Sequence, residues 1–188
     1  MTESISEIAK CRACIRHYLD FAPQILCRRN VSSEASESYM LPEPMGPLLA
    51  IMPWNFPFWQ LFRFAVPSML TGNTVLLKHA PNVPKCSGRI EQLFLEAGFP
   101  MGALTNHFLS NDGVASLIAS PVIAGVSFTG SDLTGSVIGS LAGKSLKKSV
   151  MELGGNDPMI VFSDSDLEKA VAAAVASRCI NGGQACNG

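Results

Sequence analysis

Pro47-Leu48-Leu49-Ala50-Ile51-Met52-Pro53-Trp54-Asn55-Phe56-Pro57-Phe58 is the stretch from which the fold can be read. Leu48 to Met52 is an unbroken apolar run of strand length, the pattern of a strand covered on both faces. A proline-bounded turn follows, and then a helical stretch from about Phe58 to Leu70. The same alternation continues downstream. Thr74 to Lys78 reads as a second strand, and Lys85 to Ala97 as a helix closed by Gly98. Asn106 to Leu109 reads as a third strand before a helix from Gly113 to Ala119, and Ala124 to Thr129 as a fourth that runs into a helix after Gly130-Ser131. Lys147 to Glu152 and Met159-Ile160-Val161-Phe162 are expected as further strands. A last helix begins near Asp164-Ser165-Asp166 and carries the Ala/Val run to about Cys179.

Upstream, Ile8, Cys11, Ile15 and Tyr18/Leu19 recur at helical spacing, which predicts an amphipathic helix over about 3–21. Pro23, Arg28-Arg29 and the Ser/Glu-rich segment Ser32 to Ser38 read as a connection. Repeated strand–helix alternation with apolar strands predicts an α/β fold, a doubly wound parallel sheet. No internal repeat or low-complexity linker interrupts it. The expected organisation is an N-terminal helix and connection over 1–41, then one α/β domain over 42–188.

Composition sets bounds. The 188 residues suffice to bury a core, and the net charge of −1, with no extended Lys/Arg block, argues against a nucleic-acid partner. Charged residues make up 15% against 47% hydrophobic, so either a buried sheet or a surface meant to be covered is expected. The start Met1-Thr2-Glu3-Ser4 lacks the basic and apolar regions of a secretory signal. The apolar stretch Phe56 to Leu70 contains Arg63 and prolines, which fits a membrane span poorly. Reduced cysteines and a cytoplasmic setting are therefore expected, with no membrane or metal partner. Cys11-x-x-Cys14 has the spacing of a metal or redox pair, but without a second pair it reads more simply as part of the helix's apolar stripe.

In doubly wound sheets, ligands sit beyond the carboxyl ends of the strands. Pro53-Trp54-Asn55, Lys78 and Gly130-Ser131 all occupy that location. Phe128 to Gly135 reads as a turn into a helix, which either holds a pyrophosphate on its amides or is simply capped by Ser131. Lys78 is either a ribose or phosphate donor or a solvated strand-end lysine.

Cys186, in Asn181-Gly182-Gly183-Gln184-Ala185-Cys186, is the candidate nucleophile. A thiol attacks carbonyls as thiolate, and the alkoxide formed from an aldehyde needs N–H donors such as the Asn55 amide. Loss of hydride to a nicotinamide leaves a thioester, whose hydrolysis needs water activated by a carboxylate such as Glu152. Taken singly, Cys186 could be a small buried hydrophobe, Glu152 a cap or ion-pair partner and Asn55 a turn former.

Pro53-Trp54-Asn55-Phe56-Pro57, Leu77-Lys78, Phe128-Thr129-Gly130-Ser131, Glu152-Leu153-Gly154-Gly155 and Gly183-Gln184-Ala185-Cys186 resemble, in order and spacing, the motifs of the aldehyde dehydrogenase superfamily. Ile51 to Gln60 and Leu77 to Asn82 most resemble its succinate-semialdehyde dehydrogenase-like branch. The resemblance implies the Rossmann-like, NAD(P)-binding part of that fold, truncated at both ends, with the catalytic and oligomerisation domain absent. It implies Cys186 as nucleophile, Glu152 as general base and Asn55 as oxyanion donor. Lys78 would hold the ribose, Gly130 and Ser131 the pyrophosphate, and the backbones of Trp54 and Leu153 would line the cofactor site. Pro81 stands where many NAD-preferring members carry Glu, which leaves NAD or NADP open; Asn156-Asp157 stands where lysine is common.

Arg63, among Leu61, Phe62, Phe64 and Ala65, is costly to bury without an anion. By the resemblance it would hold the carboxylate of a semialdehyde such as succinate semialdehyde; otherwise it faces solvent or an internal acid. The complete family enzyme is expected to be a homo-oligomer, and the isolated chain to be inactive and poorly soluble. A non-catalytic nucleotide-binding or subunit-interaction fragment and a cysteine thiol hydrolase are the other readings.

Overall fold

A computed structural model of the chain describes residues 2–186. Helix α1 runs over Thr2–Leu26, a turn and more beyond the predicted stripe, with Pro23 tolerated in its last turn. Only Cys11 of the stripe is buried; Ile15 packs partly on the core, while Ile8 and Leu19 stay exposed. The connection contains a small antiparallel ladder, β1 (Arg29–Asn30) with β2 (Tyr39–Met40), too short for periodicity to reveal.

The parallel sheet comprises β3 (Leu48–Met52), β4 (Val75–His79), β5 (Leu104–Asn106), β6 (Gly125–Thr129) and β7 (Lys148–Glu152), in the order β5-β4-β3-β6-β7. Between them run α2 (Trp59–Leu70), α3 (Pro84–Glu96), α4 (Asn111–Ala119) and α5 (Asp132–Lys144); α6 (Leu167–Arg178) follows β7. The chain builds outward from β3 to β5, then returns to lay β6 on the other side of β3. The crevice between β3 and β6 is thus the topological switch point.

Alternation along β3 divides the core. Ala50 and Met52 face Leu61, Leu77 and Ile90 beneath α1, α2 and α3, while Leu49 and Ile51 face Ile118, Phe128 and Ile138 beneath α4 and α5. Both faces of the central strand are therefore dry, which is why its sequence shows no polar alternation. Gly98, at φ 88°, takes the left-handed position that closes α3, as expected.

Two strand expectations need correction. The third strand lies at Leu104–Asn106, registered by Leu104 opposite Val75, and not at 106–109, where Phe108 points outward. Met159 to Phe162 forms no strand at all. Its four side chains are 48% to 74% exposed, and no strand among the described residues pairs with it. An apolar run becomes a strand only where a partner completes its hydrogen bonds. β7 is an edge strand with most of its residues exposed. No helix among the described residues is long and apolar enough to cross a membrane.

Candidate active site

Asn55 sits in the turn that leaves β3, and two distant side chains shape that turn. Glu7 of α1 accepts hydrogen bonds from the amides of Phe58 and Trp59, both at 2.9 Å. It supplies the cap that Phe58, at the head of α2, does not make with its own side chain. His79, 6% exposed at the end of β4, receives the amide of Ala80 on Nδ1, so Nε2–H donates to the carbonyl of Pro57 at 2.9 Å.

Burial, more than any other influence, lowers the pKa of His79 below the ordinary histidine value. The unfolded chain therefore takes up this proton at a higher pH than the native one does. Stability contributed by neutral His79 is complete above about pH 6.5 and is lost as pH falls through the lower native value. The melting temperature should drop between pH 7.5 and 5.5, and His79→Gln should flatten that dependence; an equal slope in both proteins would refute the assignment.

The cysteine loop follows α6. Asn181, Gly182 and Gly183 all adopt positive φ, turning the chain back so that Cys186 reaches the mouth of the sheet. Asn181 Nδ2 donates to the carbonyl of Asn55 at 2.6 Å, and Asn55 Nδ2 donates to the carbonyl of Gln184 at 2.8 Å. The backbone amide of Asn181 donates to Glu3 at 2.7 Å. Sulfur and carboxamide thus belong to two loops bonded to each other.

Glu152 closes β7 with its side chain 50% exposed. Arg63, on α2, places Nη2 3.1 Å from Glu152 Oε2; the contact is an ion pair without hydrogen-bond alignment, and Nη2 has no hydrogen-bond partner. The guanidinium therefore faces an internal acid, and that acid is the candidate base. Arg63, Glu152, Gln60 and Cys186 line one cavity of about 760 Å³, walled on its far side by Glu3, Ser6 and Lys10 of α1.

A second cavity, of about 530 Å³, lies at the switch point between Trp54-Asn55 after β3 and Thr129-Gly130 after β6, with Leu153 and Cys186 also on its wall. Cys186 and Gln60 border both spaces. Asn55 Oδ1 and Gln60 Oε1 are buried at this wall with no hydrogen-bond partner, acceptors that an occupant carrying N–H or O–H groups would satisfy. At Gly130 a Cβ would lie 2.5 Å from Cζ of the buried Phe128 ring, so any larger residue would have to displace that ring. The unpaired acceptors at the switch point fit a dinucleotide, whose carboxamide and ribose hydroxyls carry such donors.

Ser131 is the N-cap of α5, its hydroxyl accepting from the amide of Thr134 at 3.4 Å. The helix head lies beside the cavity, and the cap and a phosphate-binding role are compatible. Lys78 stands at the end of β4, with Met52 and His79 paired beside it, and is not on the wall of either cavity. Asp132, which the sequence did not single out, accepts the amide of Gly154 at 3.0 Å and ties the head of α5 to the segment after Glu152.

All six cysteines are unbridged. Desolvation, followed by the Glu7 charge, pushes the Cys11 thiol up to about 12, so it is inert as a nucleophile near neutral pH. Cys186 is exposed at the cavity mouths.

The sequence model of the aldehyde dehydrogenase family matches residues 1–188. A probable succinate-semialdehyde dehydrogenase [NADP(+)] of Synechocystis is 44% identical over 184 residues, covering 98% of this chain and 40% of that protein. The succinate semialdehyde dehydrogenase [NAD(P)+] Sad of Escherichia coli is 46% identical over 186 residues, again covering 40% of its length. Among solved structures, succinic semialdehyde dehydrogenase from Streptococcus pyogenes with NADP+ superposes with a TM-score of 0.92 at 38% identity, over 96% of this chain and 40% of that one. The chain spans about 40% of the length of the curated relatives it matches.

Proposed function

The chain belongs to the aldehyde dehydrogenase family, and from that premise we propose that it serves NAD(P)-dependent oxidation of an aldehyde to a carboxylic acid. The observation that carries this reading is the position of Cys186 on the shared border of two cavities, one at the switch point and one beside Glu152. Cys186, exposed at the cavity mouth, gives up its thiol proton to solvent water and its sulfur bonds to the aldehyde carbon, forming the alkoxide of a thiohemiacetal. The alkoxide that results is held by an N–H of Asn55. When bound, NAD(P)+ supplies the hydride acceptor. Trp54, Gly130, Ser131, Leu153 and Lys78 are the residues we assign to holding it. The acyl group left on Cys186 is a thioester. Glu152 takes a proton from water, the hydroxide attacks the acyl carbon, the C–S bond breaks to release the acid and the thiolate, and the proton held by Glu152 returns to the sulfur.

The substrate is a short aldehyde with a carboxylate at its far end. Arg63 is consistent with this: although it forms an ion pair with Glu152, its Nη2 has no hydrogen-bond partner and it borders the cavity that reaches Cys186. The three relatives named above are described as succinate-semialdehyde dehydrogenases, which favours the same class. In a full-length relative, the equivalent of Arg63→Gln should lower the kcat/KM ratio of a semialdehyde to a neutral aldehyde of equal length by about ten- to a hundredfold. Since Arg63 also contacts Glu152, the ratio between substrates is the measure, not either rate alone. An unchanged ratio would end the carboxylate reading while leaving aldehyde oxidation in place. The complete protein is expected to work as a homo-oligomer, and dinucleotide titration of this chain distinguishes NAD from NADP.

A further inference from the structure

We propose that Asn181 is a positioning residue, and that its carboxamide fixes the oxyanion-binding amide of Asn55 by clamping the cysteine loop onto the turn after β3. The inference rests on the reading of Asn55 as the group that holds the alkoxide. Its basis is a closed set of hydrogen bonds between two loops far apart in sequence. Asn181 Nδ2 holds the Asn55 carbonyl, and Asn55 Nδ2 holds the Gln184 carbonyl in return. The second of these bonds determines which end of the Asn55 amide carries its N–H groups. One N–H is used on Gln184, and the other remains for a developing negative charge. Asn55 Oδ1 is buried without a partner, so no bond on that side of the amide opposes a flip or rotation. The clamp is what holds the orientation.

Asn181 suits this task for a second reason. Its backbone is left-handed, at φ 53° and ψ 39°, a conformation that asparagine accepts more readily than other residues with a side chain. Its amide is anchored on Glu3, which joins the turn to the first turn of α1. Glycine would preserve the backbone path and delete only the clamp. Aspartate would preserve shape and set an acceptor against the Asn55 carbonyl.

The test separates two reactions of one sulfur. With 4-nitrophenyl acetate, Cys186 attacks the ester carbonyl, a C–S bond forms through an oxyanion, and the C–O bond breaks to release nitrophenolate. With iodoacetamide, the sulfur displaces iodide and no oxyanion arises. Both adducts are located on the Cys186 peptide by mass spectrometry, with protection of the buried Cys11 and the melting temperature reporting the fold.

Asn181→Gly and Asn181→Asp should each slow acylation of Cys186 by about ten- to a hundredfold, as loss of a positioned oxyanion donor does, with alkylation unchanged. Adding either to Asn55→Ala should cause no further loss, because the two act as one unit. If Asn55→Ala slows acylation and neither Asn181 variant does, the clamp is refuted and the proposed function stands. If acylation and alkylation fall together in the Asn181 variants, the residue supports the fold alone and the inference is equally overturned. If Asn55→Ala leaves acylation intact, the assignment of Asn55 fails and takes this inference with it.

Discussion

Placed in a full-length relative, the equivalent of Cys186→Ser should reduce aldehyde-dependent formation of NAD(P)H by at least about a thousandfold while leaving dinucleotide affinity unchanged. A serine hydroxyl is far less acidic than a thiol, and among the described residues no histidine lines either cavity to take its proton. A thiol ionises in useful amounts near neutral pH and a hydroxyl does not. The acyl intermediate would change as well, from a thioester to an ester, which hands its acyl group to water less readily. Cys179→Ser is the matched control, since Cys179 is also exposed but lies at the end of α6, off the walls of both cavities. Comparable losses in the two variants, or retained turnover in Cys186→Ser, would remove the cysteine from the chemistry.

Leu49→Ala should destabilise the fold by about 3–5 kcal/mol. Leu49 is fully buried on β3, the middle of the sheet, where it packs among Ile118, Val126 and Ile138. Removing three carbons forfeits about 2.4 kcal/mol of transfer free energy. The remainder comes from the cavity, because β3 is held in register by β4 on one side and β6 on the other and cannot move to fill it. Denaturant titration would show a lower midpoint at an unchanged slope. Leu133→Ala, at a residue 81% exposed, should stay within about 0.5 kcal/mol of the parent. A loss at Leu49 no larger than that would mean the central strand is not the packed interior described above.

The strand–helix order was legible because local apolar pattern and burial agree at β3, β4 and β6, each covered by helices. Where they part, the sequence misleads. Met159 to Phe162 has the composition of β3, yet composition does not reveal whether a pairing strand is present. At the site, Cys186, Asn55, Glu152 and Gly130 stand in recognisable runs, and the structure brings the first three around adjoining cavities. Glu7 lies outside such runs, and His79, Asp132 and Asn181 lie within them with nothing to mark the roles they take. Each acts on backbone atoms elsewhere in the chain, Glu7 across 51 positions and Asn181 across 126. A bond to a main-chain amide or carbonyl is indifferent to the identity of the residue that offers it, so no pattern of residue types marks such a contact. Arg63 was legible as a cation in need of an anion, while the identity of its partner required coordinates.

β7 ends the sheet with one row of peptide groups facing outward, and an uncharged, β-prone segment lies bare a few residues later. Such an edge is a template on which the same segment of another molecule can add as a further strand, and each addition regenerates the template. Chains that meet in this way would lengthen into filaments instead of closing into a finite assembly. Handling at low concentration, or a charge placed within Met159 to Phe162, is what the geometry recommends.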